Sequence, residues 1–451
     1  MRSFFCLLLG VSLSTATYAA VENAQQCDLS AAEVPVLASV PQQGYLRYIT
    51  WFSRPIVNTQ QPWLVAFSGG NRDKVDEERN QAIDLASGRM MEIPGRGDAV
   101  TTPDGRYLTV PPEYSQDEGK TFDIYRAADV LAKWRSQAKV ATDIPRLGHV
   151  DYGAWYQSLS FPLNKGENGK FRYRAVVSEP GANGFRLMEF TVSDHGIEAV
   201  PQQAKLCADS DNQTVMLSKS GRYVSGFDRA SGTTKIYAVT PHWDQKPATV
   251  DCKVVVDFGF AAGKGDFNFD DSMITFHVNF MTDPTAEETG LSYVHEILPH
   301  EAKDAVVVKF AMTGGMISGV SSVARLSIAQ HEGTGSYFPA FLPDGKVYFI
   351  HHDNGVGYRF KVVDPAAAVW SNNLFKPRNS KFAEAAAIGS LWASNCHSWT
   401  LKDEEAAWYF SSLTREQCKT LVQQHWTAPA ATSSANVSKT QALAACEAKS
   451  R

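Results

Sequence analysis

A short turn sequence recurs along the chain, and this repetition constrains the fold more than any other feature. The clearest copies are residues 102–108 (TPDGRYL) and 342–349 (LPDGKVYF), and residues 218–224 (SKSGRYV) and 269–276 (FDDSMITF) follow the same plan. Asp-Gly and Ser-Gly supply the positive φ that a hairpin turn requires, and the β-branched and aromatic residues after them favour a strand. Each copy therefore predicts a β-hairpin.

A second strand pattern follows each turn and completes a repeating unit. It is clearest at residues 357–364 (GYRFKVVD) and 234–239 (TKIYAV). The weaker and degenerate copies are residues 63–67, 83–88, 122–125, 171–177 and 186–192. Each unit has the composition of four short antiparallel strands, which is typical of a propeller blade. The pattern predicts six such units between residues 45 and 375.

The Pro-Asp-Gly-(Lys/Arg) turn followed by an apolar strand resembles the WD-like repeat of TolB-type β-propellers. The resemblance rests on residues 102–108 and 342–349, and it implies an all-β propeller of six four-stranded blades. It also implies a binding or scaffold protein of the bacterial envelope that presents one face of the disc to a protein partner. An antiparallel β-sandwich also uses many short strands and is the alternative fold. The repeated turn chemistry favours the propeller.

The N-terminus has the pattern of a secretory signal peptide. Arg2 precedes the apolar run 4–9, and small residues lead to a predicted cleavage after Ala19, with Ala20 as the second choice. We therefore expect a signal peptide over residues 1–19 and a periplasmic or secreted protein. Residues 20–44 lack strand alternation and predict a helical or irregular lead-in.

The sequence after residue 375 changes to a helical pattern. Residues 376–426 predict a helical tail, in which residues 383–387 (AEAAA) are strong helix formers, and residues 427–451 predict a linker and a terminal helix. The cysteines after the signal peptide are Cys27, Cys207, Cys252, Cys396, Cys418 and Cys446. An even number in an exported chain favours disulfides. The preferred pairs are Cys207 with Cys252, Cys396 with Cys418, and Cys27 with Cys446.

Polar residues fall at the predicted ends of the second strands of the blades. Aligning the turns places Asp228, Asn279 and His352 at equivalent positions, on the face opposite the Asp-Gly turns. The polar residues beside them are His277, His351 and Asp353. Imidazoles and carboxylates from neighbouring blades could hold a divalent metal or a polar ligand there. The competing interpretation is that these side chains form structural hydrogen bonds.

Other motifs exclude several kinds of site. Ala393 stands where haem attachment would need the first cysteine before Cys396 and His397, so haem is not expected. His295 and His300 are too far apart for H-E-x-x-H, and no cysteine pair has zinc-ligand spacing. The net charge of −5 disfavours nucleic acid, and no later segment is apolar enough to span a membrane. We expect no organic cofactor and assign no catalytic residue.

Three functional hypotheses follow from the sequence. The first is a protein-binding or scaffold propeller with an envelope or extracellular protein as its partner. The second is a metal-assisted polysaccharide lyase or hydrolase of propeller type, with metal near His277 and His352. The third makes the helical tail the functional module and the propeller its carrier. The absence of a catalytic motif favours binding over catalysis.

Overall fold

The computed structural model describes the greater part of the predicted propeller and two segments of the tail. The described residues are 34–41, 53–71, 74–97, 99–111, 121–151, 158–178, 184–198, 201–206, 215–228, 233–258, 262–278, 304–327, 334–353, 357–368, 370, 388, 415–426 and 437–449. The signal peptide predicted over residues 1–19 lies outside them, as do Cys27, Cys207, Asn279 and Cys396.

The strands form six antiparallel sheets, which are the blades of a β-propeller. Blade 1 comprises β2 (Ser53–Pro55), β3 (Leu64–Asn71), β4 (Lys74–Asp84) and β5 (Met90–Ile93). Blade 2 comprises β6 (Val100–Thr101), β7 (Tyr107–Val110), β8 (Thr121–Arg126) and β9 (Arg146–Asp151). Blade 3 comprises β10 (Ser158–Leu159), β11 (Phe171–Ser178), β12 (Phe185–Ser193), β13 (Gly196–Ile197) and β14 (Gln202–Lys205). In blade 3, β13 and β14 both pair with β12. The prediction of six blades is confirmed.

Blades 4 to 6 repeat the same order of strands. Blade 4 comprises β15 (Met216–Leu217), β16 (Tyr223–Asp228), β17 (Thr233–His242) and β18 (Thr249–Asp257). Blade 5 comprises β19 (Gly263–Phe267), β20 (Met273–Val278), β21 (Asp304–Thr313) and β22 (Met316–Ser327). Blade 6 comprises β23 (Thr334–Phe341), β24 (Val347–Asp353), β25 (Gly357–Val363) and β1 (Val36–Pro41). The first strand in sequence is thus the outer strand of the last blade, and it closes the ring.

The closing strand β1 lies inside the segment predicted to be an irregular or helical lead-in, so the structure differs from that expectation. β1 is an edge strand that pairs antiparallel with β25, with Val40 opposite Phe360. Val36 and Leu37 are 43% and 46% exposed, and Val40 is buried. Because most of the strand faces solvent, its sequence lacks the apolar alternation that would have identified it.

The predicted turns share one hydrogen-bond pattern. The third side chain of each turn accepts from the backbone N–H two residues later: Asp104 from Arg106 at 3.3 Å, Ser220 from Arg222 at 3.2 Å, Asp270 from Ser272 at 3.0 Å and Asp344 from Lys346 at 3.2 Å. The fourth residue has positive φ: Gly105 72°, Gly221 74°, Asp271 62° and Gly345 85°. Side chains that bond their own backbone favour turns over strands, which explains why the motif ends each inner strand.

The aspartate of the Pro-Asp-Gly turn also joins neighbouring blades. The second carboxylate oxygen of Asp104, in blade 2, accepts from the Tyr173 hydroxyl of blade 3 at 2.8 Å. The equivalent oxygen of Asp344, in blade 6, accepts from Trp63 Nε1 of blade 1 at 2.8 Å. A carboxylate has two acceptor oxygens, so one side chain can close its own turn and contact the next blade.

The hydrophobic core lies between the blades rather than at the axis. One cluster joins blades 6 and 1 through Phe67, Tyr337 and Phe360, and another joins blades 2 and 3 through Phe122 and Tyr173. Helix α1 (Ala127–Arg135) follows β8 and buries Trp134 in the cluster between blades 1 and 2. Apolar faces of adjacent sheets thus cover one another, as expected for stacked blades.

The described tail contains two helices joined by a disulfide. They are α2 (Arg415–His425) and α3 (Lys439–Glu447), and Ser438 caps α3 in a capping box with Gln441. Cys418 bonds to Cys446, with 5.5 Å between their Cα atoms. The predicted pairings of Cys396 with Cys418 and of Cys27 with Cys446 are therefore wrong.

A further disulfide involves Cys252 of β18, which is also bonded. Its predicted partner, Cys207, lies outside the described residues. Among the described residues, no helix has the length and apolar character needed to cross a membrane.

Candidate functional site

The two faces of the disc differ in how the strands are connected. The recurring turns, residues 102–106, 218–222, 268–272 and 342–346, lie at one face, which we call the turn face. The second strands β16, β20 and β24 end at the opposite face, which we call the loop face. Asp228 ends β16 and Asp353 ends β24, so both positions lie at the loop face, whereas Asn279 lies outside the described residues.

Asp228 is engaged in an ion pair within blade 4. Its Oδ2 accepts from Nζ of Lys235 on β17, and the same Nζ lies 3.6 Å from Asp257 Oδ2 on β18. The hydrogen bond to Asp228 is the main reason that the pKa of Lys235 is raised. The three side chains tie the loop-face ends of three strands together, which is a structural role for Asp228.

His277 is a buried link between blades 5 and 6. Its Nδ1 accepts from the backbone N–H of Phe338 at 3.2 Å, and its ring lies 5.4 Å from the Phe338 ring. Phe338 has a φ of 52°, which is uncommon for a bulky residue and needs support from its surroundings. Since Nδ1 is an acceptor, the neutral imidazole carries its hydrogen on Nε2.

His351 and His352 point to different neighbours. Ser336 Oγ donates to Ser327 Oγ at 2.8 Å, so His351 Nδ1, 3.0 Å away, donates to Ser336. His352 stacks on Tyr358 with 4.3 Å between ring centroids. The Asp353 side chain lies outside the described part of the structure. Within the described part of the chain, no group of three or more His, Cys, Asp or Glu side chains is arranged to hold a metal.

Charged side chains that the sequence analysis did not select meet at the axis. The cavity there is lined by residues of five blades, including Arg54 of β2, Lys219 after β15 and Asp266 of β19. Lys219 Nζ donates to Asp266 Oδ1 at 2.7 Å, and the backbone N–H of Phe341 donates to Asp266 Oδ2 at 3.1 Å. Arg54 is 6% exposed and Asp266 is 1% exposed. These positions are far apart in sequence, and only the ring brings them together.

Asp271 stands behind Lys219 and joins the turns of blades 4 and 5. Its carboxylate accepts from the backbone N–H groups of Lys219 at 2.9 Å and of Ser220 at 3.3 Å. Burial raises the pKa of Asp271, although the hydrogen bonds it accepts, those from Ser220 foremost, act in the opposite direction. Burial in the folded protein therefore disfavours the ionised form of Asp271, even though its carboxylate accepts these hydrogen bonds.

Comparison with known proteins does not assign the chain to a family. No family model and no curated protein sequence matches the chain. Among solved structures, the chain is similar to the β-propeller domain of Cps50 (Swd1) from Myceliophteria thermophila, at 10% identity and a TM-score of 0.38, over 75% of this chain and 99% of that one. It is also similar to the periplasmic gluconolactonase PpgL of Pseudomonas aeruginosa, at 13% identity and a TM-score of 0.34, over 64% and 79% of the two chains.

Proposed function

We propose that the chain is an exported β-propeller that binds a protein partner through its loop face. The observation that carries the proposal is the difference between the two faces. At the turn face, side chains such as Asp104, Asp271 and Asp344 are used in turn and inter-blade bonds. At the loop face, the second strands β7 and β20 end at Val110 and Val278, and the third strands β8 and β21 begin at Thr121 and Asp304. The sequences that connect strand ends of this face are residues 112–120 and 279–303 within blades, and residues 42–52, 152–157 and 328–333 between blades. Rigid scaffolds commonly carry function on such connections.

The composition of these connections suits protein recognition. They contain Tyr48, Trp51, Trp155 and Tyr156, and the longest connection contains Tyr293. Tyrosine and tryptophan are enriched at protein interfaces because they combine a large apolar surface with a hydrogen-bonding group. The partner that best fits this chemistry is a folded protein or an extended peptide of the envelope.

Export is supported by the N-terminal pattern and by the disulfide chemistry. Residues 1–19 have the order of charge, apolar run and small residues that signal peptides have. The bond between Cys418 and Cys446 would persist in an oxidising compartment such as the periplasm. No comparison assigns the chain to TolB-type propellers, so that resemblance stays a prediction from the turn motif.

The contacts of the candidate ligands favour binding over metal-assisted catalysis. Asp228 already pairs with Lys235, and His277 already accepts from Phe338. Each of these contacts would have to break before the side chain could coordinate a metal through the same atom. The hypothesis that the tail is the functional module stays a prediction.

Site-specific photocrosslinking in the producing cells tests the proposal. A photoreactive amino acid at Arg186 or Asp257, which lie at the loop face, should give one discrete cross-linked protein. The same amino acid at Arg106 or Asp194, which lie at the turn-face ends of their strands, serves as the matched control and should not. Equal cross-linking from both faces, or none from the loop face, would refute the proposal. Signal-peptide cleavage is checked separately by N-terminal sequencing of the mature protein.

A further inference from the structure

Two exposed methionines flank the turn between β21 and β22. Met312 and Met316 are 39% and 43% exposed, and the turn between them contains Gly314 and Gly315, which have φ values of 58° and 75°. Methionine sulfur is oxidised where an oxidant in the solvent can reach it. Both side chains are accessible to a similar degree, so Met312 is a reference for Met316.

Donors from blade 4 surround the sulfur of Met316. Arg222 Nη1 lies 3.4 Å from Met316 Sδ, and the Tyr223 hydroxyl lies 3.5 Å from it. The backbone N–H of Ile317 donates to the Tyr223 hydroxyl oxygen at 3.0 Å, and the hydroxyl in turn donates to the sulfur. These contacts form the junction between the turn of blade 4 and the β21–β22 hairpin of blade 5.

The donors around Met316 Sδ meet a poor acceptor. A thioether sulfur accepts only weak hydrogen bonds, whereas a guanidinium and a phenol hydroxyl are good donors. Arg222 Nε also donates to Ser220 Oγ at 3.1 Å, which holds the guanidinium beside the sulfur. Among the described residues, no donor lies within hydrogen-bonding distance of the Met312 sulfur. The surroundings of Met316 therefore suit an oxygen atom bonded to the sulfur better than they suit the sulfur itself.

We propose that Met316 is a modification site at which hydrogen peroxide forms methionine sulfoxide, and that Arg222 and Tyr223 hold the sulfoxide oxygen. A lone pair of Sδ attacks one peroxide oxygen, an S–O bond forms and the O–O bond breaks. The hydroxide that leaves takes the remaining proton from the transferred oxygen and becomes water. The sulfur loses two electrons to the peroxide, and no other reactant is required.

The sulfoxide tightens the junction between blades 4 and 5. Oxidation of a methionine usually disrupts packing, because an apolar side chain becomes polar. At Met316 the new oxygen lies at the surface and accepts from two donors that are already in place. A stronger bond from the Tyr223 hydroxyl also makes its oxygen a better acceptor for Ile317, since hydrogen bonds in a chain polarise one another. The Ile317 N–H therefore reports on the state of the site.

Amide hydrogen exchange of the full chain tests the site. Met312→Leu is treated with hydrogen peroxide until peptide mass spectrometry shows that Met316 is oxidised, and exchange at Ile317 should then slow by about threefold or more, the effect of one net hydrogen bond on local opening. Met316→Leu, which keeps Met312, is the matched control, and the same treatment should leave exchange at Ile317 unchanged. Three outcomes would overturn the inference: no oxidation of Met316 in the folded protein, exchange that is unchanged or faster after oxidation, or equal slowing in the control.

Substituting the arginine separates the role of the donors from that of exposure. Arg222 is exposed, so Arg222→Leu in the Met312→Leu background leaves the buried core of blade 4 in place. Met316 should still be oxidised, but the slowing at Ile317 should fall below about twofold. Arg106→Leu changes the equivalent turn residue of blade 2, whose guanidinium lies over another ring, and should keep the full slowing. Slowing of the same size in both arginine variants would refute the role of Arg222 and overturn the site.

Discussion

Removing the Tyr173 hydroxyl should weaken the contact between blades 2 and 3. The hydroxyl donates to Asp104 Oδ2 at 2.8 Å, and the Tyr173 ring is fully buried between the blades. Burial, and then the charge of Asp104, raise the pKa of Tyr173, so the hydroxyl remains a donor throughout the pH range of a stability assay. Tyr173→Phe deletes this donor and keeps the aromatic packing.

The expected loss follows from the type of hydrogen bond. A bond to an ionised acceptor contributes about 1.5–3 kcal/mol to stability. Asp104 is 14% exposed and also pairs with Arg106 at 3.1 Å, so part of its charge stays satisfied without the hydroxyl. We therefore expect Tyr173→Phe to lower the free energy of unfolding by about 1.5 kcal/mol, at the lower end of that range.

A double-mutant cycle in urea isolates the contribution of this bond. Tyr173→Phe, Asp104→Ala and the double variant should give a coupling energy of about 1–2 kcal/mol. Tyr125 and Asp123 form the matched control, because their bond lies within one strand and is 3.4 Å long. We expect a coupling below about 0.5 kcal/mol for that pair, since a bond of this length is weak. Equal coupling in both cycles would refute the idea that the turn aspartate holds adjacent blades together.

Three further predictions test other parts of the structure. Asp271→Asn should gain stability relative to the wild type as pH rises above about 4, the pKa of an unperturbed aspartate. The raised pKa of Asp271 in the folded state makes the wild type lose stability as the pH rises, and urea titrations at several pH values measure the difference. Gly345→Ala should lower the free energy of unfolding by about 1–2 kcal/mol, because an alanine is strained at this positive φ. Gly105→Ala should lower it further in the same urea titrations, because the added Cβ would also lie 2.7 Å from a backbone carbonyl oxygen of blade 1. Cys418→Ser or Cys446→Ser should destabilise the paired tail helices by about 3 kcal/mol and speed their proteolysis; unchanged cleavage rates would contradict this.

Local chemistry explains why the blades could be predicted from the sequence. The turn at Asp344 and Gly345 is defined by hydrogen bonds within five residues, so the sequence pattern alone indicates the hairpin. β1 could not be recognised in the same way, because its partner β25 is more than 300 residues away in sequence. Most side chains of β1 also face solvent, so the strand has no apolar alternation. The disulfide partner of Cys418 likewise depends on how α2 packs on α3, which no local pattern reveals.

The candidate functional site was likewise predictable only where local sequence determines it. The end of β16 at Asp228 follows from the spacing after the turn, whereas the ion pair with Lys235 depends on the register between β16 and β17. No sequence pattern pointed to Arg54, Lys219 or Asp266, because each is a single charged residue in or beside an inner strand. Their meeting at the axis is a property of the closed ring.

Pairing β1 with β25 also determines when folding can finish. Val40 pairs with a residue that follows it by more than 300 positions, so β1 is made first but has no partner strand until almost the whole propeller has been synthesised. Contacts between such distant segments make folding slow. Once formed, the pairing ties the first described strand to the last blade, so the ring can open there only after the hydrogen bonds between β1 and β25 break. The protein should therefore fold late, as one unit, and unfold with a high kinetic barrier.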